Sequence, residues 1–247
     1  RSTLLGRIQV GEFSSIVGMI KRAQRTFGRL FTVSGVITAF RKSAVHQIGY
    51  WSADMLTEDI DVTWKLQRSG WDIRFEPNAL VWILMPETLG GLWKQRLRWS
   101  MGGTQVLLDY WPQLFSLKNL RLWPLCIEYS MSILWACLFS LLAVYRGIDL
   151  IFFKVDLQSV PILMLGWAGL LIGTTCMVQI MLSLVLDRPY DRGLLKNYFW
   201  MIWYPIIYWV ITAATSVMAL PKILLRDTEK RARWTSPDRG IKPDASR

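Results

Sequence analysis

The chain has 247 residues, of which 52% are hydrophobic, and a formal net charge of +11 at pH 7. The basic excess flanks a long apolar block, which suits the anionic inner face of a membrane, and no basic stripe or known motif accompanies it to indicate nucleic-acid binding. The three cysteines lie in apolar runs and the single histidine has no cysteine nearby, so a zinc site is not expected.

The first part of the chain predicts an α/β fold. Residues 31–40 are rich in Val, Ile, Thr and Phe and predict a strand with a small-residue break in the middle. Residues 58–69 carry apolar pairs four positions apart and predict a helix. Residues 71–76 and 80–84 predict two more short strands, separated by a Pro-Asn turn.

A Thr-Glu-Asp triplet stands at the start of the predicted helix. Thr57 is placed to cap the helix, and Glu58 and Asp59 occupy its first turn, where the helix dipole favours anions. An enzyme that inverts the anomeric centre of a sugar needs one carboxylate to take the proton from the acceptor hydroxyl. The triplet is therefore a candidate catalytic site, although helix capping alone also explains it.

A second candidate site lies on an amphipathic helix predicted over residues 89–110, with Thr88 as its cap. Gln95, Arg98 and Trp99 share one face of this helix because they are spaced i, i+3 and i+4. Arg98 offers a planar charged fork for a diphosphate, and Trp99 offers a flat face for a sugar ring. Anchoring of a surface helix to lipid headgroups explains the same residues equally well.

Three apolar blocks follow, over residues 122–145, 160–186 and 198–220. Each is long enough to cross a hydrocarbon core of about 30 Å as a helix, and aromatic residues are frequent in them. Buried core helices are the alternative, but a helix of a soluble domain normally keeps a polar face. The sequence therefore predicts three transmembrane helices. One ionisable residue, Glu128, falls in the first block, and we place it in the headgroup zone.

The tail after the last block raises a question of membrane topology. This tail is basic, and positive charge prefers the cytoplasmic side of a membrane. Three crossings that start from a cytoplasmic face would leave the tail outside. Either one block is re-entrant or interfacial, or the charge rule does not hold here. The third block, which contains Pro205, is the candidate for a block that does not cross.

Taken together, these motifs resemble one enzyme family. The order of Ser34-Gly35, the Thr-Glu-Asp triplet, the Gln-x-x-Arg-Trp motif and several membrane spans is similar to the processive family 2 glycosyltransferases. These enzymes make cellulose, chitin, hyaluronan and poly-N-acetylglucosamine. Four stretches are similar to the poly-N-acetylglucosamine branch of this family: residues 31–45, 50–67, 82–99 and 231–241.

The resemblance implies a role for each motif. The implied catalytic residues are Asp59 as the general base, with Glu58 and Thr57 shaping its surroundings. The implied acceptor- and substrate-binding residues are Gln95, Arg98, Trp99, Ser34 and Gly35. A divalent cation, Mg²⁺ or Mn²⁺, is expected on the leaving diphosphate, with its ligands in a part of the enzyme upstream of this chain.

The implied function is that of a membrane-embedded, inverting hexosyltransferase. It polymerises N-acetylglucosamine from UDP-GlcNAc into a β-1,6-linked biofilm exopolysaccharide and feeds the polymer into a membrane channel. The implied partners are UDP-GlcNAc, the growing polysaccharide, the lipid bilayer of a bacterial inner membrane, and a small membrane subunit with cyclic di-GMP control. The catalytic face is expected to be cytoplasmic. A hyaluronan, chitin or cellulose synthase, or a non-catalytic transporter or scaffold, are the alternatives.

The expected architecture is an α/β region followed by an interfacial amphipathic helix and a transmembrane α-helical region. Residues 1–85 are expected to form the carboxyl-terminal part of a GT-A-like nucleotide-sugar transferase domain. Residues 86–121 are expected to form interfacial helices, residues 122–221 the transmembrane helices and residues 222–247 the basic tail. On this interpretation an upstream half is missing, and the chain alone is expected to be inactive.

Overall fold

The computed structural model describes five parts of the chain: residues 3–27, 29–114, 116–152, 167–226 and 231–232. Within these parts the regular structure is helical. Part of the second predicted span (160–166) and most of the predicted tail lie outside the described residues.

Eight α-helices follow one another along the described parts. They are α1 (Leu4–Phe13), α2 (Lys21–Phe27), α3 (Lys42–Gln47), α4 (Glu58–Arg68), α5 (Leu89–Leu114), α6 (Trp123–Phe152), α7 (Trp167–Asp187) and α8 (Trp209–Leu224). A π-helical turn joins α1 to α2, and 3₁₀ and π turns over Leu194–Trp203 and Tyr204–Tyr208 lead into α8. The predicted helix after Thr57 is confirmed as α4, and Thr88 caps α5 as predicted, with its hydroxyl 3.1 Å from the backbone nitrogen of Gly91.

The predicted α/β fold is wrong, because no strand forms in the residues that the structure describes. The backbone hydrogen bonds just before and within segment 31–40 show the reason. The side-chain oxygen of Gln67 accepts the backbone N–H of Leu30 (2.9 Å), and the side-chain nitrogen of Gln67 donates to the carbonyl of Leu30 (2.7 Å). Thr63 likewise accepts the N–H of Val33 (2.9 Å). Polar side chains thus make the hydrogen bonds that a neighbouring strand would make in a sheet.

The other two predicted strands are also extended segments without a ladder. The turn between them forms, with the N–H of Ala79 bonded to the carbonyl of Glu76 at 3.2 Å. The side chains that follow are exposed, Trp82 to 80% and Leu84 to 55%. β-Propensity measures fit to a pleated surface with neighbours. Within the described residues this stretch has no such neighbour, so its composition did not produce a sheet.

Three apolar clusters organise the described helices, and the smallest joins α3, α4 and the segment around Val33. A second joins α4, α5 and the start of α6, and Trp64 and Val106 are its most buried members. The third joins α1, α5, α7 and the segment before α8, and it includes Ile8, Leu92 and Met201. Because α5 contributes to both of these larger clusters, it connects the membrane helices to the shorter helices that precede them.

Three helical stretches are long and apolar enough to cross a membrane: Leu117–Asp149, Gly169–Asp187 and Leu194–Leu224. Their outer faces are apolar and exposed, as at Leu141 (66%) and Leu171 (71%). Such surfaces suit hydrocarbon better than water, because a helix in a soluble domain turns a polar face outward.

Both ends of the third apolar stretch contact the part of the chain that precedes the membrane helices. Near its beginning, Met201 lies directly against Gly11 of α1. After its end, the guanidinium of Arg226 donates to the carbonyl of Asp54, and the N–H of Ala232 donates to the carbonyl of Ala53 at 3.0 Å. The chain after α8 therefore returns to the loop that leads into α4.

Candidate active site

The start of α4 lies directly against α5. Thr57 occupies the residue before the helix, but its side chain makes no capping hydrogen bond, so the predicted cap is wrong. Its buried hydroxyl faces Gly102 instead, where a Cβ would overlap it. Because residue 102 has no side chain, the Thr-Glu-Asp triplet can touch the helix that carries Gln95, Arg98 and Trp99.

Two side chains of α5 hold the loop in front of the triplet. Arg98 donates from Nη1 to the carbonyl of Leu56 at 3.3 Å. Gln105 accepts the N–H of Leu56 at 3.2 Å and donates to the carbonyl of Asp54 at 3.3 Å. The Arg98 guanidinium is thus fixed within the same few residues as the acidic triplet, which brings one member of the second predicted motif to the first.

Asp59 lies between its own helix and the small-residue segment. Its Oδ1 accepts the N–H of Ile60 at 3.0 Å. A Cβ placed on Gly35 would lie 3.3 Å from its Oδ2, which is a tight contact. The predicted Ser34-Gly35 segment therefore packs against the predicted base, and a side chain at residue 35 would crowd its Oδ2.

Thr63 fixes this arrangement, and the sequence analysis missed it. Its buried hydroxyl donates to the carbonyl of Asp59 at 2.5 Å and accepts the N–H of Val33 at 2.9 Å. One hydroxyl thereby joins the first turn of α4 to the segment that carries Gly35. The position of Thr63 four residues after Asp59 is the signal that could have indicated it, because a threonine hydroxyl commonly bonds the carbonyl one turn back.

The environment of Asp59 acts on its charge in two directions. Burial raises the pKa of the Asp59 carboxyl above its ordinary value, and the negative charge of Glu58 raises it further. The N–H of Ile60 and the positive charges of Arg98 and Lys21 act against this rise. Desolvation disfavours a charged form, whereas a nearby opposite charge favours it. The result is a carboxyl that takes up a proton more readily than an exposed aspartate.

The two cations beside Asp59 are themselves desolvated. Burial lowers the pKa of Lys21 to about 8, with the charge of Asp59 opposing that change. Burial also lowers the pKa of Arg98, again opposed by Asp59 and then by Glu58. Lys21 is only 9% exposed and was not predicted as a site residue. The sequence could not indicate its contact with Asp59, since Lys21 precedes the triplet by 36 positions.

Gln95 and Trp99 lie toward α1. The ring of Trp99 contacts Phe13, with 6.1 Å between ring centroids, and the guanidinium of Arg96, 4.4 Å from the ring centroid. The side-chain oxygen of Gln95 is buried and accepts no hydrogen bond from the residues that the structure describes. This face of α5 therefore holds one aromatic plane and one unused acceptor.

A buried carboxylate one turn along α4 gives the site rigidity. Asp61 is fully buried and accepts hydrogen bonds from Tyr110 (2.6 Å) and Ser52 (2.8 Å), and Lys65 lies 3.2 Å away. These partners come from α5, from the loop before the triplet and from α4. Sequence analysis missed this network because Tyr110 is 49 positions from Asp61.

A cavity of about 1520 Å³ opens beside the small-residue segment. Lys21, Ser34 and Arg74 are among its lining residues, together with the exposed stretch around Trp82. In the described parts of the chain, no group of three His, Cys, Asp or Glu side chains could hold a metal ion.

Comparison with known proteins gives a consistent result. The family model described as "Glycosyl transferase family group 2" matches residues 1–220. The chain is 42% identical over 246 residues to the poly-beta-1,6-N-acetyl-D-glucosamine synthase of Staphylococcus epidermidis, and 40% identical over 243 residues to that of Staphylococcus aureus (strain COL). These matches cover 97% of this chain but 58% of each relative. No solved structure matches the chain significantly.

The contact between Gly102 and Thr57 gives a prediction for stability. Gly102→Ala adds a Cβ where the Thr57 side chain lies, and overpacking of this kind costs about 1–3 kcal/mol. We therefore expect a lower thermal unfolding midpoint for the purified protein in detergent. Gly90→Ala, in the same helix but with open space around the new Cβ, is the control and should be neutral or slightly stabilising. Equal midpoints for the two variants would contradict the close contact.

Proposed function

The chain belongs to the family 2 glycosyltransferases, as the sequence resemblance predicted, and we propose its function from that premise. It is also a membrane protein with three membrane-compatible helices. Its function in this proposal is to polymerise N-acetylglucosamine from UDP-GlcNAc into poly-β-1,6-N-acetylglucosamine. The staphylococcal relatives, which carry that synthase name, support it. The observation that carries the proposal is the convergence of Asp59 and Arg98 at the start of α4.

Asp59 is the general base in this mechanism. Its carboxylate takes the proton from the acceptor hydroxyl, and the hydroxyl oxygen attacks the anomeric carbon of the donor sugar. The bond from that carbon to the diphosphate oxygen breaks, and UDP leaves with the electron pair. A buried carboxyl with a raised pKa suits this step, because a stronger base accepts a proton more readily. Thr57 and Glu58 shape the surroundings of this carboxyl.

Arg98 acts on the leaving group. Its guanidinium is held by the carbonyl of Leu56 at 3.3 Å and is partly desolvated. A preorganised cation in a site of low dielectric stabilises the negative charge that develops on the diphosphate. The same charge keeps Asp59 ionisable, so one side chain supports both the base and the departure of UDP.

The acceptor lies along α5 in this proposal. The half-buried Trp99 ring offers a plane for the terminal sugar, and Gln95 lies one turn before it on the same face of α5. Ser34 and Gly35 border the acceptor hydroxyl because Gly35 packs against Asp59. This arrangement gives Trp99 a chemical task, which a transporter or scaffold would not.

Enzymes with this chemistry use a divalent cation, Mg²⁺ or Mn²⁺, which neutralises the charge of the diphosphate when bound. The described residues offer no three-ligand set for it, so its ligands are proposed to lie outside them and no step above depends on it. A small membrane subunit and cyclic di-GMP control are further proposals that follow from the family resemblance alone.

The membrane topology follows from where the chain returns. A nucleotide sugar is supplied in the cytoplasm, so the catalytic face is proposed to be cytoplasmic. Arg226 and Ala232 contact the loop at residues 53–54, which supports a tail on that same face. Two crossings, α6 and α7, then suffice, and the third apolar helix lies re-entrant or interfacial beside α5. This arrangement also satisfies the preference of the basic tail for the inside.

The first test concerns the base. Asp59→Asn keeps the shape of the side chain but removes its proton affinity, so we expect polymer synthesis to fall by a factor on the order of 10²–10⁴ with unchanged protein in the membrane. Membranes containing the protein are supplied with labelled UDP-GlcNAc, and the labelled polymer is measured. Asp72→Asn is the matched control, because Asp72 is half-exposed in a surface ion pair of small energetic value.

The following results would contradict the proposed base or the proposed product. Normal polymer synthesis by Asp59→Asn would remove the base from the mechanism. Incorporation of labelled glucose from UDP-glucose, but not of N-acetylglucosamine, would favour a cellulose synthase. Incorporation of glucuronate together with N-acetylglucosamine would favour a hyaluronan synthase. A β-1,4 linkage in the N-acetylglucosamine polymer would favour a chitin synthase.

The second test concerns the charge of Asp59. The base acts as a carboxylate, so activity is lost as the pH falls through its pKa. Lys21→Met removes a cation that lowers this pKa, so the acidic limb of the rate profile should move to higher pH. The control is Lys94→Met, an exposed lysine on α5, which should leave the limb in place. A limb that stays in place or moves to lower pH in Lys21→Met would contradict the proposed interaction.

The third test concerns topology. The variant Leu225→Cys, just after α8, should react with a membrane-impermeant maleimide only after the cells are permeabilised. The variant Ile151→Cys, near the carboxyl-terminal end of α6, should react with the same maleimide in intact cells. Both native side chains, Leu225 (86%) and Ile151 (72%), are exposed, so accessibility to water and not burial decides the labelling. Labelling of position 225 in intact cells would show that the third helix crosses the membrane.

A further inference from the structure

A buried ion pair joins α1 to α5 and has no part in the mechanism above. Nη2 of Arg96 lies 2.6 Å from Oε2 of Glu12, with the two side chains 9% and 5% exposed. Removing two charges from water is costly, and replacing such a pair by apolar residues is often neutral or stabilising. Stability alone is therefore a weak reason for this pair.

Arg96 has a second contact, with the aromatic ring proposed for the acceptor. Its guanidinium carbon lies 4.4 Å from the ring centroid of Trp99, three residues further along α5. The ring of Tyr208, from the segment before α8, lies 5.7 Å from the same carbon. A guanidinium over an indole face is attracted to it, and the attraction is larger where water is excluded.

The neighbour of Glu12 on α1 also contacts Trp99. Phe13 lies 6.1 Å from the indole, with the two rings tilted by 55°. Residues 12 and 13 of α1 thus hold residues 96 and 99 of α5 as one unit. Glu12 fixes the guanidinium, and the guanidinium and Phe13 together restrict the indole.

Burial decides between two explanations for Arg96. An arginine on an amphipathic surface helix can anchor to lipid headgroups. Arg96 is buried, however, with 7% of the whole residue exposed, and it is bonded to a carboxylate. Its side chain is therefore directed into the protein. In the Gln-x-x-Arg-Trp motif it occupies an unspecified position, so the motif itself assigned it no task.

We infer that Arg96, held by Glu12, is a positioning residue that fixes the Trp99 ring as the plane against which the terminal sugar of the growing polymer stacks. This inference rests on the proposed function, in which Trp99 binds the acceptor. Arg96 touches neither substrate nor reacting atoms and acts through Trp99. Loss of this support should weaken binding of the acceptor and leave binding of the nucleotide sugar unchanged.

The main variant is Arg96→Lys, which keeps a positive charge beside Glu12 but loses the planar guanidinium. In membranes containing the protein, the KM for a short β-1,6-linked N-acetylglucosamine acceptor should rise roughly threefold to thirtyfold. The KM for UDP-GlcNAc should stay within twofold or so of the unchanged protein, and the mean polymer should be shorter. Lys94→Met, on the exposed face of the same helix, is the control and should change none of these values.

A double-mutant cycle separates positioning from folding. In a Trp99→Ala background, Arg96→Lys should have no further effect on the acceptor KM, because the ring it supports is absent. The pair Glu12→Leu with Arg96→Met removes both charges together and should keep the thermal unfolding midpoint. Its acceptor KM should nevertheless stay raised, since no cation faces the indole.

Three results would overturn the inference. Arg96→Lys could leave the acceptor KM unchanged while Trp99→Ala raises it, in which case Trp99 binds the acceptor without help from Arg96 and the proposed function stands. The double variant Glu12→Leu with Arg96→Met could have a normal acceptor KM, which would make the ion pair purely structural. Trp99→Ala could leave the acceptor KM unchanged, which would remove the acceptor role of Trp99 and this inference with it.

Discussion

Two adjacent glycines on α5 allow the parts of the site to come together. Gly102 lies against Thr57, and Gly103 lies against the hydroxyl of Tyr129, which also donates to the carbonyl of Ser100 at 3.2 Å. Each glycine costs up to about 1 kcal/mol of helix stability relative to alanine. Because these residues lack side chains, the start of α4 approaches α5 closely at Gly102, and α6 approaches it closely at Gly103. The Thr-Glu-Asp triplet proposed as catalytic and the first apolar helix, α6, are therefore placed by the same turn of α5.

This close approach also sets the electrostatics. Packing against α5 and the small-residue segment removes water from Asp59, and burial alone would favour its protonated form. Arg98 and Lys21 act in the opposite direction. A base needs a proton affinity high enough to accept a proton and low enough to be free at the working pH. The two cations thus oppose the effect of burial on the pKa of the proposed base, and Arg98, which is bonded to the loop at Leu56, is also the cation proposed to meet the leaving diphosphate.

Local patterns allowed the helices to be predicted but not the contacts between them. The helix after Thr57 and the Thr88 cap depend on neighbours within four positions, and both are confirmed. The strand at 31–40 was wrong because strand formation depends on a distant partner, and the backbone N–H of Val33 donates to the side chain of Thr63 instead of to a strand. Arg96 was missed for the same reason, since its carboxylate lies 84 positions away.

The third apolar helix contacts both sides of the site. Before α8, Tyr208 lies beside the Arg96 guanidinium that faces Trp99, and after α8, Arg226 bonds to the carbonyl of Asp54. The stretch from Leu194 to Leu224 is helical throughout and connects these two contacts. This apolar helix thus contacts both the guanidinium proposed to position the acceptor plane and the loop in front of the proposed base, the two features on which each added sugar would depend.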